Sequence, residues 1–300
     1  MGIGNKIIVT LGLCVKDAEE TIRETVNSVI DQDFPHDLTE IIVVDGCSQD
    51  KTLSIIKECL SGKAVKKRIF SENNGLGFAR QMVVDNATGD YILWVDSDII
   101  LSKDYVKRQV NFMEQHPSIG IAVGSFDIRP EDNWVAVLEN IGYVIDSSRH
   151  QGRSTSKLLG TEASIFRVEA IRQVGGFDCN IKGAQEDMDI AYRIRAAGWQ
   201  LYITNAVFYE IQKRTWKALW NQHFWYGYGL HFMQHKNKGR NLFLDRSVDR
   251  IPLSCLAYKL THRKVVFLLP LNFIFKKTAL LFGFLKAHVD GYGHKQQEAS

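Results

Sequence analysis

Cysteine is scarce in this sequence and has no pattern. Cys14, Cys47, Cys59, Cys179 and Cys255 are scattered, odd in number and include no Cys-x-x-Cys pair, which excludes a disulfide framework and a structural zinc-thiolate site and points to a reducing compartment. Internal repeats and low-complexity tracts are absent as well. The nine histidines form no His-Glu-x-x-His or other clustered pattern, so a zinc hydrolase has no ligands to stand on. A signal peptide of usual length is missing: Met1–Lys6 leads straight into the apolar stretch Ile7–Leu13 and then into a polar helical pattern. Lys6 stands where a myristoylation motif carries Ser or Thr. The sequon Asn86-Ala87-Thr88 is therefore expected to stay unmodified.

Across 300 residues, 45% are hydrophobic, enough to bury a substantial core in one large or two modest domains. The net charge of +3 hides an asymmetry: residues 1–235 carry 25 Lys+Arg against 30 Asp+Glu, net −5, and residues 236–300 carry 12 against 4, net +8. The chain is accordingly divided into a first domain, 1–235, and a basic, apolar region, 236–300. Basic tails attract nucleic acid or anionic lipid, and the neighbouring residues decide between them.

The first half alternates β-branched runs with helical patterns, the mark of an α/β fold around a mostly parallel sheet with flanking helices. Strands are predicted at Ile7–Leu13, Ile41–Val44, Arg68–Phe70, Tyr91–Val95 and Ile119–Val123. Asp17 and Glu20 read as a capping box for the first helix, along which Ile22, Val26, Val29 and Ile30 recur on one face. Later come a helix at Trp134–Ile145, a polar loop at Ser147–Lys157, a strand at Ser164–Phe166, a helix at Glu186–Ala197, a strand at Trp199–Ile203 and an aromatic helix from Trp216 to His235.

Three acidic groups fall where open α/β sheets bind ligands, at strand ends or helix starts: Asp45, Asp96-Ser97-Asp98 and Glu186-Asp187. Taken singly, an Asp at a strand end also serves as a turn or helix cap, and Glu186-Asp187 also suits a helix dipole. Asp96 and Asp98 follow five apolar residues, and period-two geometry would send both side chains to one side. Paired carboxylates need a compensating cation or donor, and hard oxygen ligands suit Mg²⁺ or Mn²⁺. Such an ion would neutralise charge developing on a leaving diphosphate.

The ordered combination VVDGCSQDKT, NNGLGFARQ, DSD, and GGFD followed by QEDMDIAYRIRAAGW resembles glycosyltransferase family 2, over roughly residues 5–235. The resemblance implies a GT-A fold, a single Rossmann-like domain, and inverting transfer from a nucleotide diphosphate sugar, UDP favoured over GDP, with Mn²⁺ or Mg²⁺. It implies that Asp45 meets the base, with Leu13 and Val15 beside the nucleotide, that Arg80 faces the diphosphate, and that Asp96 touches ribose or diphosphate. Asp98 would bind the metal, Asp187 would be the general base and Glu186 its neighbour. The chemistry agrees, since inversion needs one base at the acceptor hydroxyl.

Some positions depart from the family pattern. Gly46 replaces a second Asp after Asp45, and Val15-Lys16 replaces a Tyr-Asn-like pair after the first strand. Glu210, in VFYEIQKRTW, stands where many members have a metal-binding His; it is either a metal ligand or a surface Glu. The Gln-x-x-Arg-Trp motif of processive synthases is missing. Gly75-Leu76-Gly77 lacks the third glycine of a dinucleotide fingerprint and reads as a turn near the diphosphate.

In the last third, Val265–Phe275 and Thr278–Leu285 are each too short to cross a bilayer core of about 30 Å, and Lys276-Lys277 parts them. The expected arrangement is one or two helices in the membrane interface, with Lys259, Arg263, Lys264, Lys276, Lys277 and Lys286 at headgroup level. A helix pair packed on the catalytic domain is the alternative. Nucleic acid is not an expected partner, because the basic residues are interleaved with Leu and Phe. The expected protein is thus a peripheral transferase on the cytoplasmic side of a membrane, acting on a lipid-linked or membrane-proximal acceptor. The alternative is a catalytically silent nucleotide-sugar-binding protein of the same fold.

Overall fold

A computed structural model describes residues 6–129, 132–181, 184–236 and 250–292. Residues 1–5, on which the expected lack of a leader partly rests, and the basic stretch 237–249 lie outside the described residues. The chain forms two compact units, one of residues 1–127, 147–180 and 186–211, the other of residues 128–146, 181–185 and 212–300. The boundary expected near residue 235 falls inside the second unit.

In chain order the elements are β1 (Val9–Val15), α1 (Ile22–Ile30), β2 (Thr39–Asp45), α2 (Thr52–Leu60), β3 (Lys66–Ser71), α3 (Leu76–Asn86), β4 (Tyr91–Trp94), β5 (Ile99–Leu101) and α4 (Tyr105–Gln115). They continue with β6 (Ile119–Asp127), α5 (Trp134–His150), β7 (Arg153–Thr155), β8 (Ile165–Arg167), α6 (Val168–Gln173), α7 (Glu186–Ala196) and β9 (Gln200–Glu210). The last three are α8 (Trp216–Lys236), α9 (Arg250–Thr261) and α10 (Leu269–Val289).

The nine strands of the first unit form a single sheet among the described residues, in the order β3-β2-β1-β4-β8-β6-β9-β5, with β7 also on β9. The first four run parallel, and β8 runs antiparallel between β4 and β6. All seven residues of β2 are buried, as befits a parallel strand covered on both faces. Period two explains how: Ile42 and Val44 join Val83 and Val84 of α3, while Ile41 gathers with Leu11, Val29, Ile30 and Val106 on the opposite face. Because strands of one direction lie side by side, β1, β2 and β4 end together, and that edge carries Asp45 and Asp96.

Three local expectations are overturned. Asp17 is no helix cap: α1 begins at Ile22 after Thr21, and Asp17 has φ 46° with its carboxylate accepting from the Gln49 amide at 2.8 Å. Residues 147–157 are no polar loop: α5 runs on to His150 and Arg153–Thr155 pairs with β9, since polar residues suit an edge strand and a solvent-facing helix end. Asp96–Asp98 is a turn between β4 and β5, closed by the Ile99 amide on the Asp96 carbonyl at 3.1 Å, so the period-two argument for the pair does not hold.

Glu40 anchors the sheet at the edge opposite the acidic one. It is fully buried and accepts from the Thr10 hydroxyl at 2.9 Å, the Thr88 amide at 2.6 Å and the Thr88 hydroxyl at 2.9 Å. Lys66 and Arg68 each pair with it at 3.1 Å. Burial pushes its carboxyl up, but the bonds from Thr88, Thr10 and Lys66 outweigh burial and hold it below its usual range. A group depressed on folding stabilises above its unfolded pKa, and that contribution is lost as pH falls through the folded value. Glu40→Gln should therefore cost about 1–3 kcal/mol at neutral pH and flatten the acid limb of a stability-versus-pH curve below about pH 4. Denaturant melts of both proteins check this; identical acid limbs would show that Glu40 is not the linked group.

In the second unit, Leu138, Ile141 and Ile145 of α5 pack with Ala257, Val266 and Leu269. Helices α8 and α10 touch backbone to backbone: a Cβ on Gly227 would run into the Leu280 carbonyl, and one on Gly283 into that of Phe224. Lys276, expected as a headgroup anchor, pairs within the unit. Its ammonium lies 2.6 Å from the buried Glu139 carboxylate, which His223 approaches at 3.4 Å. Burial pushes the Glu139 carboxyl up, yet the His223 bond and the Lys276 charge hold it below the usual range. The two apolar runs lie on one helical stretch, Lys264–Val289, 26 residues whose most apolar 18-residue window has mean hydropathy 1.7, long and apolar enough by length and composition to cross a membrane.

Candidate active site

Arg80 is the centre of the acidic edge. It projects from the inner face of α3, is only 4% exposed, and contacts Glu186 at the start of α7 and the Asp96 carboxylate at 3.3 Å. One guanidinium thus joins a helix, the turn after β4 and a second helix. What Arg80 meets is carboxylate on both sides, so its fork is already engaged. Glu186 is 1% exposed, and its other oxygen, Oε2, is buried without a hydrogen-bond partner. Its neighbour Asp187 is half-buried, its Oδ1 accepting from the Met188 amide at 2.7 Å.

The carboxyl of Asp96 is raised above its ordinary range. Burial is the main cause, and the negative charges of Asp98 and Asp187 add to it, while Arg80 opposes. The turn that carries Asp96 and Asp98 is held by Thr21 and Thr25, whose hydroxyls donate to the Ser97 carbonyl at 2.8 and 3.0 Å. Glu210 comes beside Asp98, for the Ile211 amide donates to the Asp98 carbonyl at 2.7 Å and β5 pairs with β9 at Ile99–Glu210. Asp96, Asp98 and Asp187 therefore share a neighbourhood in which one buried cation, Arg80, offsets part of the charge, with the backbone of Glu210 alongside. Such an all-oxygen donor set fits a hard divalent cation, Mg²⁺ or Mn²⁺.

Asp45 is 2% exposed and accepts from the Ser48 hydroxyl at 2.6 Å and the Ser48 amide at 3.1 Å. It shapes its own loop, and a carboxylate retains lone pairs beyond those two bonds. Leu13 is fully buried and Val15 4% exposed, so this strand end offers a ligand mainly its backbone side. The two departures at this corner are neighbours: a Cβ on Gly46 would lie 3.2 Å from the Cβ and Cδ of Lys16. A larger residue at 46 would press on the Lys16 side chain. Beside Asp96 and Arg80, burial pushes the Cys14 thiol up to about 12, which leaves it inert.

The loop Leu159–Ser164, which carried no sequence signal, also belongs here. A Cβ on Gly160 would lie 2.7 Å from Asp187 Oδ2 and 3.1 Å from Glu162 Oε2, so only glycine leaves that flank of Asp187 open. Ala163 has φ 49°, a conformation that costs a non-glycine residue energy. It is held by Tyr105, whose buried hydroxyl donates to the Ala163 carbonyl at 2.6 Å and accepts from the Gly124 and Gln109 side at 2.9 Å each. Of the family-like motifs, GGFD acts through packing: Phe177 stacks edge-on against Trp94 at 5.3 Å, two residues before Asp96. Tyr105→Phe should lower the unfolding free energy by about 1–3 kcal/mol, because the Ala163 carbonyl and Gly124 amide lose a buried partner. Unchanged stability would show that other groups hold the loop.

The fold is that of GT-A domains. The mannosyltransferase PcManGT from Pyrobaculum calidifontis, solved with GDP-Man and Mn²⁺, superposes with a TM-score of 0.66 at 19% identity, covering 94% of this chain and 87% of that one. Residues 10–174, more than half of the chain, match the model of Glycosyl transferase family 2, and the chain belongs to that family. It is 34% identical over 103 residues to the poly(ribitol-phosphate) beta-N-acetylglucosaminyltransferase TarS of Staphylococcus aureus, 34% of this chain and 18% of TarS. It is 32% identical over 135 residues to TuaG of Bacillus subtilis, a putative teichuronic acid biosynthesis glycosyltransferase, 42% of this chain and 52% of TuaG. The chain thus spans about half or less of the length of these relatives.

Proposed function

We propose that this protein is an inverting glycosyltransferase that moves a sugar from a nucleotide diphosphate donor, UDP ahead of GDP, to an acceptor at a membrane surface. The observation that carries the reading is the contrast between two adjacent carboxylates: Glu186 is buried against Arg80, while Asp187 is half-buried with one oxygen toward the open flank at Gly160. Asp187 is the base. Its Oδ1 is fixed by the Met188 amide, leaving Oδ2 to take the proton of the acceptor hydroxyl as the oxygen attacks the sugar. Glu186 and Arg80 are positioning residues that set the first turn of α7 against the Asp96 turn, and Asp45 receives the base of the nucleotide. A divalent Mn²⁺ or Mg²⁺ held by Asp98, with Asp96 and Glu210, would supply Lewis-acid neutralisation of the departing diphosphate. Names of relatives support a nucleotide-sugar donor: TarS is an N-acetylglucosaminyltransferase, and its residues 1–349 have been solved with UDP-GlcNAc.

A screen of nucleotide sugars for release of free nucleotide diphosphate, with Mn²⁺ and Mg²⁺ present, identifies the donor. With it, Asp187→Asn should reduce kcat by about 10²–10⁴-fold at nearly unchanged donor affinity, and Asp98→Ala or excess EDTA should abolish turnover. An equal loss of donor binding in Asp187→Asn would make Asp187 structural, and full activity in EDTA would remove the metal.

The acceptor's place rests on α10 in the second unit. Leu271, Ile274, Phe282, Leu285 and Val289 are between 50% and 81% exposed, and their spacing makes one helical stripe. The opposite side of α10 bears Asn272 and Lys276, which bond to Leu138 and Glu139. A helix with one packed polar side and one open apolar side lies in an interface rather than across it. The full chain should float with anionic vesicles, partly released by salt, and Ile274→Asp with Leu285→Asp should stay in the soluble fraction. Equal flotation of both proteins, or none of either, would remove the membrane-bound acceptor.

A further inference from the structure

We propose that His231, His235 and His288 form a binding site for a divalent transition-metal ion of the zinc class, separate in chemistry from the carboxylate site. All three belong to the second unit. His231 and His235 are one helical turn apart on α8, which puts both imidazoles on one face, and His288 comes from the last turn of α10. The glycine contacts between α8 and α10 bring these helices close enough for the three rings to converge. His231 Nε2 lies 3.2 Å from His288 Nδ1 and 3.2 Å from His235 Nε2, and one ligand atom from each ring falls within 4.8 Å of the others.

The tautomer follows from a fourth contact. His231 Nδ1 lies 2.7 Å from the Tyr292 carbonyl oxygen. A carbonyl only accepts, so Nδ1 carries the proton and Nε2 of the neutral ring presents a lone pair. That lone pair faces two further imidazole nitrogens. A proton shared among them can satisfy one nitrogen pair at a time, whereas one cation can accept from all three. A backbone-bonded Nδ1–H with the opposite nitrogen turned toward the ion is also how metal-bound histidines are oriented.

The spacing suits an ion. Zinc–nitrogen bonds of about 2.0–2.1 Å at tetrahedral angles place ligand nitrogens about 3.3–3.4 Å apart, within a small adjustment of the two 3.2 Å separations. Burial grades from His231, fully buried, through half-buried His235 to exposed His288, so one side of the triad is open to solvent for an incoming ion and a water as fourth ligand. Phe284 packs on His231 with ring centroids 4.8 Å apart. Imidazole nitrogen selects Zn²⁺, Ni²⁺, Co²⁺ or Cu²⁺ over Mg²⁺ and Mn²⁺, which favour carboxylate oxygen. A bound ion would tie the end of α8 to the end of α10 and to the segment at Tyr292. The expectation from sequence that the histidines do not cluster fails here, because His288 lies 53 positions beyond His235.

The test uses the untagged full chain in excess Mg²⁺, which occupies oxygen sites. Zinc titrated by calorimetry should bind with one equivalent per chain, Co²⁺ should give the intense visible absorption of a four-coordinate ion, and Zn²⁺ should raise Tm. His288→Ala and His235→Ala should each weaken zinc binding by more than about 100-fold, beyond the effect of losing an outer hydrogen bond, with metal-free Tm unchanged in the exposed His288 variant. Asp98→Ala should keep the zinc equivalent. Absence of zinc binding in the wild type, or equal binding in both histidine variants, would overturn the site and leave the triad a set of hydrogen-bonded rings.

Discussion

The acidic site depends on the burial of one guanidinium. Glu186 is brought out of water and Asp96 partly so, next to Asp98 and Asp187, and neighbouring carboxylates in that setting lose their charge unless a cation offsets it. Arg80 supplies the offset from within, at 4% exposure. A lysine would do this less well, because a guanidinium is planar, more weakly hydrated and always charged, and addresses the two carboxylates through two different nitrogens. The compensation is partial: Asp96 still lies above its ordinary range through burial and through Asp98 and Asp187. Residual negative charge at the end of a parallel sheet is what a divalent cation would meet, and an anionic diphosphate would be tolerated there only with such a cation beside it.

Much of this was readable along the chain, for reasons that also mark where reading stops. Strands β1 to β4 and helices α3 and α7 were legible because their apolar periods are regular and a parallel, doubly covered strand such as β2 has no polar positions to blur it. Asp45, Asp96 and Glu186-Asp187 were legible because topology places strand ends and helix starts together. The carboxylate partners of Arg80, namely Asp96 and Glu186, were not legible, because finding them needs the distance between α3 and α7. The Gly160–Glu162 loop was invisible because it carries no periodicity; its importance comes from the single missing Cβ beside Asp187.

The second unit shows a different limit. Lys276 looked like a headgroup anchor because its sequence neighbours are Lys277 and apolar residues, yet its partner Glu139 is 137 positions away. The same residues that read as two short runs form one helix, with Asn272 and Lys276 on its packed side and an apolar stripe on its open side. A charge inside an apolar segment is therefore informative only with its partner. The i, i+4 pair His231 and His235 was a usable sign of clustering, but the third ring was not.

The rim of the acidic site is built from backbone that no side chain adopts willingly. Asp17, Cys47 and Ala163 have φ of 46°, 58° and 49°, in the loops after β1, after β2 and before β8. Each is braced from outside its own loop. The Asp17 amide donates to the Ser48 hydroxyl at 3.0 Å, the Cys47 thiol reaches the Glu72 carbonyl at 3.6 Å, and Tyr105 holds the Ala163 carbonyl. Strain of order 1–3 kcal/mol per residue persists only where surrounding contacts over-determine it. Here two of the braces run from loop to loop and the third from the first turn of α4, so each strained residue is held from outside its own segment. Donors and acceptors fixed in this way before a ligand arrives need not reorganise when charge develops on it.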